Sequence, residues 1–85
     1  MIQLDIQGKC FAITGKLPIL RTEAIAKLND MGGIYKTSVT RDTHYLIVGE
    51  LRRVSHKFER AHDLKQTGYD VVIVDGQMLF AEPLY

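Results

Sequence analysis

Residues 8–15 read Gly-Lys-Cys-Phe-Ala-Ile-Thr-Gly, and the apolar run inside them, Cys10-Phe11-Ala12-Ile13, decides the fold. The run is short, does not alternate with polar residues, and is bounded by Gly8 and Gly15. That pattern fits a strand covered on both faces, as in a parallel sheet with helices above and below it. Downstream, Lys16 to Leu20 contains Pro18 and reads as a loop. Ala24, Ile25, Leu28 and Met31 then share one stripe at helical spacing, with Thr22 placed to cap and Glu23 in the first turn. Gly32-Gly33 stops that helix, and Ile34-Tyr35 starts a second short strand.

Two more strands are legible in Tyr45-Leu46-Ile47-Val48, closed by Gly49, and in the β-branched Val71-Val72-Ile73-Val74. Between them Ser55 caps a helix whose buried stripe is Phe58, Ala61 and Leu64, ended by Gly68. Asp75 caps a last short helix with Met78, Leu79 and Leu84 on its apolar face, and Pro83 ends it. The order β-α-β-β-α-β-α implies a small parallel sheet covered by helices on both faces. Lys36 to His44 is polar, joins the second and third strands, and is too short for a helical crossover. It is expected to pass round an end of the sheet.

A chain of 85 residues makes one domain, and it buries only roughly 60 % of its unfolded surface, so the core is modest. Apolar residues at 46 % against 25 % charged describe a folded, soluble composition and exclude disorder. One cysteine excludes a disulfide framework and a four-cysteine zinc site, and fits a reducing compartment. No apolar run approaches the ~18 residues of a membrane span, and Met1 to Lys9 lacks the features of a secretory signal. The expectation is a cytoplasmic protein, or a nuclear one in a eukaryote, monomeric and without membrane contact.

The net charge is +1 but unevenly spread. Arg52, Arg53, Lys57, Arg60 and Lys65 face only Glu59 and Asp63 within residues 51–66, while residues 67–85 hold only acids, Asp70, Asp75 and Glu82. A basic segment of this kind is either a solvated helix face or an anion-binding surface.

Catalytic chemistry finds no support. Gly15-Lys16 misses the nucleotide P-loop spacing, because the first glycine would fall at Cys10 and residue 17 is Leu. His44, His56 and His62 lack ligand spacing, and Cys10 lies mid-strand with no base nearby in sequence. Neither a metal, a cofactor nor a catalytic residue is expected. An anion site fits better. Thr14-Gly15 ends the first strand, and ligands bind at the carboxyl ends of parallel strands. A threonine hydroxyl with a glycine N–H suits a phosphate oxygen. Arg21 precedes the first helix's cap and Lys57 lies in the second helix's first turn, where a base is unfavourable unless an anion comes between. Arg60 follows Lys57 on the same helix surface. Thr14, Gly15, Arg21, Lys57 and Arg60 are therefore the expected phosphate- or DNA-binding residues, with incidental solvated bases as the alternative.

Taken in order, the segments resemble a known family. GKCFAITG at 8–15, RTEAIAKLNDMGG at 21–33, SVTRDTHYLIVGE at 38–50, SHKFERAHDL at 55–64 and YDVVIVD at 69–75 are together similar to a BRCT (breast-cancer C-terminal) domain over about residues 7–83. The likeness is greatest to the single BRCT domains of bacterial NAD-dependent DNA ligases and of the replication factor C large subunit. It implies a three-layer α/β fold, with a four-stranded parallel sheet in order 2-1-3-4. The first and third helices lie on one face and the second on the other. It also implies a non-catalytic binding module of a DNA replication or repair protein, such as a ligase fragment.

In that family a Ser/Thr-Gly pair and a Lys near the second helix's start cradle a phosphate, and Thr14, Gly15 and Lys57 match these positions. In the replication-factor-C-like subgroup two further bases serve a 5′-phosphorylated DNA end. Arg21 and Arg60 match them, with one residue less in the intervening loop. The tryptophan common in the third helix is absent, and Met78 stands at about its place. Phosphopeptide reading in the family normally needs a tandem pair, which favours DNA as the partner here. The alternative is a phosphopeptide- or protein-docking module, with Leu51, Val54, Leu84 and Tyr85 as its surface. A purely structural role within a larger enzyme is the third reading.

Overall fold

Phe11, Ala12 and Ile13 have no exposed surface, as a strand covered on both sides requires. The computed structural model describes residues 5–80. Its elements run β1 (Cys10–Thr14), α1 (Arg21–Asp30), β2 (Ile34–Tyr35), β3 (Thr43–Val48), α2 (His56–Gln66), β4 (Val72–Asp75) and α3 (Gly76–Leu79). The strands form one sheet in the order β2-β1-β3-β4, and every pairing is parallel. The expected α/β sheet and its strand order are therefore what the chain forms.

Alternate residues of β1 feed two cores. Phe11 and Ile13 join Ile47 and Val74 against Ala24 and Leu28 of α1 and Leu79 of α3. Ala12 joins Leu46 against Ala61 and Leu64 of α2. The α1 side holds the larger side chains, each contributing about 1.5–3 kcal/mol by burial. The α2 side is the smaller cluster, with Ala12 and Ala61 among Val39, Leu46, Leu64 and Val71. Ile6 is 1 % exposed and belongs to the α1 core, one residue before the expected boundary at 7.

Several local expectations change. Helix α1 is capped by the extended Leu20, not by Thr22, and no side chain caps it. The first helical hydrogen bond runs from the Ala24 N–H to the Leu20 carbonyl, which draws Arg21 into the helix. The link between β2 and β3 does not skirt the sheet. Val39 is buried in the α2-side core, so the link crosses that face, and β3 begins at Thr43. Phe58, Met31 and Met78 are more exposed than their stripes imply. The expected cover on both faces also fails at Val72, which lies on the edge strand β4. Leu84, Tyr85 and Pro83 lie outside the described residues.

Two caps are as expected. Ser55 Oγ accepts from the Phe58 N–H at 3.1 Å, and Asp75 Oδ1 accepts from the Gln77 and Met78 N–H groups. No helix among the described residues is long and apolar enough to cross a membrane.

Candidate functional site

The strands end flush. Register pairs Thr14 with Val48 and Val48 with Asp75, so Gly15, Gly49 and Gly76 follow side by side along the carboxyl edge. The chain leaves β1 and β3 through loops that lead to the N-termini of α1 and α2. Both helices thus direct their positive ends toward this edge. The two loops are tied together. Gly49 N–H donates to the Thr14 carbonyl at 2.8 Å, and Lys16 and Glu50 exchange backbone bonds at 3.0 and 2.8 Å.

Two glycines make the close approach possible. Gly15 has φ +80°, and a Cβ there would stand 2.9 Å from the Gly49 carbonyl carbon and the Glu50 oxygen. A Cβ on Gly49 would run into the Lys16 backbone. Gly15 is also the wall shared by two clefts. One, about 700 Å³, lies under residues 15–21, and the other, about 300 Å³, lies against Thr14 and residues 50–55.

Four of the five expected residues meet at this point. Thr14 is 9 % exposed, and its Oγ1 lies 2.6 Å from Ser55 Oγ. That contact uses one of the two hydroxyl protons. Ser55 Oγ already accepts from Phe58, so whichever hydroxyl donates, the other keeps a proton to offer. Lys57 Nζ donates to the Ile13 carbonyl at 2.9 Å, and Arg21 donates to the Gly15 carbonyl at 2.9 Å. The brevity of β2 explains the first of these bonds. Phe11 O accepts from the Lys36 N–H just past β2, and Ile13 O, two residues on, points the same way beyond the end of that strand. A buried carbonyl needs a donor, and Lys57 reaches across from α2 to supply it.

The electrostatics favour an anion. Burial lowers the Lys57 pKa below the ordinary lysine range, and the positive charge of Arg21 lowers it further. Among the described residues neither Arg21 nor Lys57 pairs with a carboxylate. Glu50 instead lies 3.8 Å from Arg52. An anion between Arg21 and Lys57 would cancel both penalties.

Arg60 lies apart from this cluster. It lines a different groove with Arg41, Asp63, Leu64, Thr67 and Tyr69. The part of the site that sequence reasoning missed is the Ser55 hydroxyl. Ser55 is legible as a cap, but its approach to Thr14 depends on how α2 docks on β1, which no spacing in the chain encodes. No cluster of three or more metal-ligating side chains occurs among the described residues.

Comparison with known proteins agrees with this architecture. The family model described as the BRCA1 C Terminus (BRCT) domain matches residues 3–66. A DNA ligase of Thermotoga maritima is 45 % identical over 67 residues, covering 76 % of this chain and 9 % of the ligase. A DNA ligase of Coxiella burnetii is 40 % identical over 65 residues, covering 75 % of this chain and 9 % of the ligase. A DNA ligase of Gloeobacter violaceus is 38 % identical over 77 residues, covering 89 % of this chain and 10 % of the ligase. The chain thus spans about a tenth of the length of these relatives.

Proposed function

The chain belongs to the BRCT domain family, and from that premise we propose that it is a non-catalytic module that binds the 5′-phosphorylated end of DNA. The observation that carries the reading is the convergence of Lys57 and Arg21 on the end of β1 without a carboxylate partner among the described residues. Thr14 or Ser55 donates its free hydroxyl proton to a phosphate oxygen, and the Gly15 backbone lets that oxygen approach. Lys57 neutralises the phosphate and Arg21 flanks it. Two helix N-termini add favourable potential. None of these groups reads a base, so the module positions DNA without sequence preference. The likeness to DNA ligases supports a role beside DNA joining, in a longer protein that carries the chemistry.

The test is binding of one duplex with a 5′-phosphate and with a 5′-hydroxyl. The phosphorylated form is expected to bind about tenfold tighter, a difference of about 1.4 kcal/mol. Equal affinity excludes end recognition. A second reading, docking of a protein or phosphopeptide, draws on Leu51 and Val54, which are 39 % and 69 % exposed beside Thr14. A phosphopeptide that binds while the phosphorylated duplex does not would select it.

A further inference from the structure

The groove that holds Arg60 has a construction of its own. Arg41 lies over the Tyr69 ring, 5.6 Å from its centroid. Arg41 and Arg60 line the same groove of about 350 Å³, floored by Leu64 and Thr67. Its one carboxylate is Asp63, and among the described residues that group pairs with neither arginine. The groove thus carries two guanidinium groups against one carboxylate, an excess of positive charge that suits an anion.

Both walls are held in place. Arg41 sits on a turn fixed by Val39 in the core on one side and by Thr43, 3 % exposed, on the other. Thr43 Oγ1 accepts from the Thr40 N–H at 2.9 Å, and Thr40 Oγ1 accepts from the Asp42 N–H at 3.3 Å. On the other wall the Tyr69 N–H donates to the Leu64 carbonyl at 3.0 Å. The backbone that carries Arg41 and Tyr69 is therefore fixed, and the ring contact holds the Arg41 fork over the groove.

We propose that this groove is a second phosphate seat, which holds the backbone of the bound DNA inward of its end. The proposal rests on the terminal phosphate entering the Thr14–Lys57 pocket. Along α2, Arg60 lies about 4.5 Å beyond Lys57 and Leu64 about 10 Å beyond it. Each nucleotide advances about 3.4 Å along a duplex, so the groove lies within a few nucleotide steps of the terminal pocket and can meet an inward phosphodiester. Arg41 and Arg60 hold the phosphate, and the Tyr69 ring keeps the Arg41 plane upright. A phosphodiester fits this groove better than a terminal phosphate, because the groove offers charge but no buried hydroxyl or glycine N–H.

The experiment titrates phosphorylated and hydroxyl-ended duplexes between about 50 and 200 mM salt. The proteins are wild type, Arg41→Ala, Tyr69→Ala and Tyr69→Phe, each checked for a wild-type melting curve. Should Arg41→Ala fail to fold, Arg41→Gln and Arg60→Gln take its place. Arg41→Ala is expected to weaken both duplexes by the same several-fold factor and to lower the salt slope by about one. Tyr69→Ala should weaken both duplexes likewise, and Tyr69→Phe should match wild type. Unchanged titrations for Arg41→Ala overturn the proposal. So does a loss confined to the phosphorylated duplex, which would merge the groove with the terminal pocket. Should wild type not distinguish the two ends while Arg41→Ala still lowers the slope, end recognition fails and the backbone seat stands.

Discussion

Around Thr14 and Lys57 the polar groups are tied into the backbone at the end of β1. Lys57 holds the Ile13 carbonyl, Arg21 holds the Gly15 carbonyl, and Ser55 holds both Thr14 and the start of α2. Around Arg41 and Arg60 the backbone is equally well fixed, but the functional groups are exposed and meet only a ring and each other's field. In the first region binding groups and folding groups are the same atoms. In the second they are separate. Substitution of Gly15 or Ser55 in the pocket should therefore disturb stability together with affinity, whereas substitutions in the groove should change affinity alone.

The largest expected effect is that of Gly15→Ala. A left-handed φ costs an L-residue about 1–2 kcal/mol, and the clash with Gly49 and Glu50 adds on the order of 1–3 kcal/mol. Thermal unfolding should fall by more than about 10 °C, and a melting curve like wild type would break the claim that the two loops are locked together. Ser55→Ala should lose about 1 kcal/mol in urea denaturation, as a lost cap does, and also weaken the phosphorylated duplex. Loss of stability with unchanged affinity would reduce Ser55 to a cap.

Lys57→Met separates the two roles inside the pocket. Its bond to Ile13 contributes about 1 kcal/mol, but removing the charge relieves burial and the repulsion from Arg21. Stability should therefore stay within about 1 kcal/mol while the preference for a phosphorylated end disappears. A preference that survives removes Lys57 from the site.

The pH dependence follows the same group. With its pKa lowered, Lys57 loses its proton at a lower pH than an ordinary lysine. A bound phosphate dianion stabilises the charged amine and raises that pKa again, so affinity must fall as pH rises through the lowered value. Without ligand the sign is opposite. The unfolded chain binds more protons at Lys57 in that alkaline window, so stability rises with pH across it. The expected result is phosphate preference that declines at a lower pH than an exposed lysine would allow, and no such decline in Lys57→Met. The smallest effect belongs to the groove, where Arg41→Ala should leave stability within about 0.5 kcal/mol.

Much of the fold can be read from the chain because burial writes itself into local pattern. Cys10–Ile13 and Tyr45–Val48 are apolar without alternation because both faces of those strands are covered. Ser55 and Asp75 are legible as caps because a short polar side chain satisfies the nearest orphan N–H groups. Thr22 misleads because it carries the same signal two residues too late. The start of α1 is set by the Leu20 carbonyl, and Arg21 is held by the Gly15 carbonyl. Val39 is one apolar residue in a polar stretch, and only the packing of the link against Ala12 and Leu46 gives it a place.

The site divides in the same way. Thr14, Gly15, Arg21 and Lys57 stand at the ends of elements, and sequence order brings those ends to one edge. Arg60 shares a helix with Lys57, yet faces a groove whose other wall, Arg41 and Tyr69, comes from a loop and from the chain beyond α2. Helical spacing relates Arg60 to Lys57 but carries no information about that wall.

The central claim is that a terminal phosphate enters the pocket at the end of β1. It is tested most directly by following backbone amide shifts while phosphorylated and hydroxyl-ended duplexes are added to the intact domain. The expected result is saturable movement of the Gly15, Ser55 and Lys57 amides with the phosphorylated duplex only, and movement near Arg41 and Tyr69 with both. Shifts near Arg41 and Tyr69 alone, identical for the two duplexes, would contradict it.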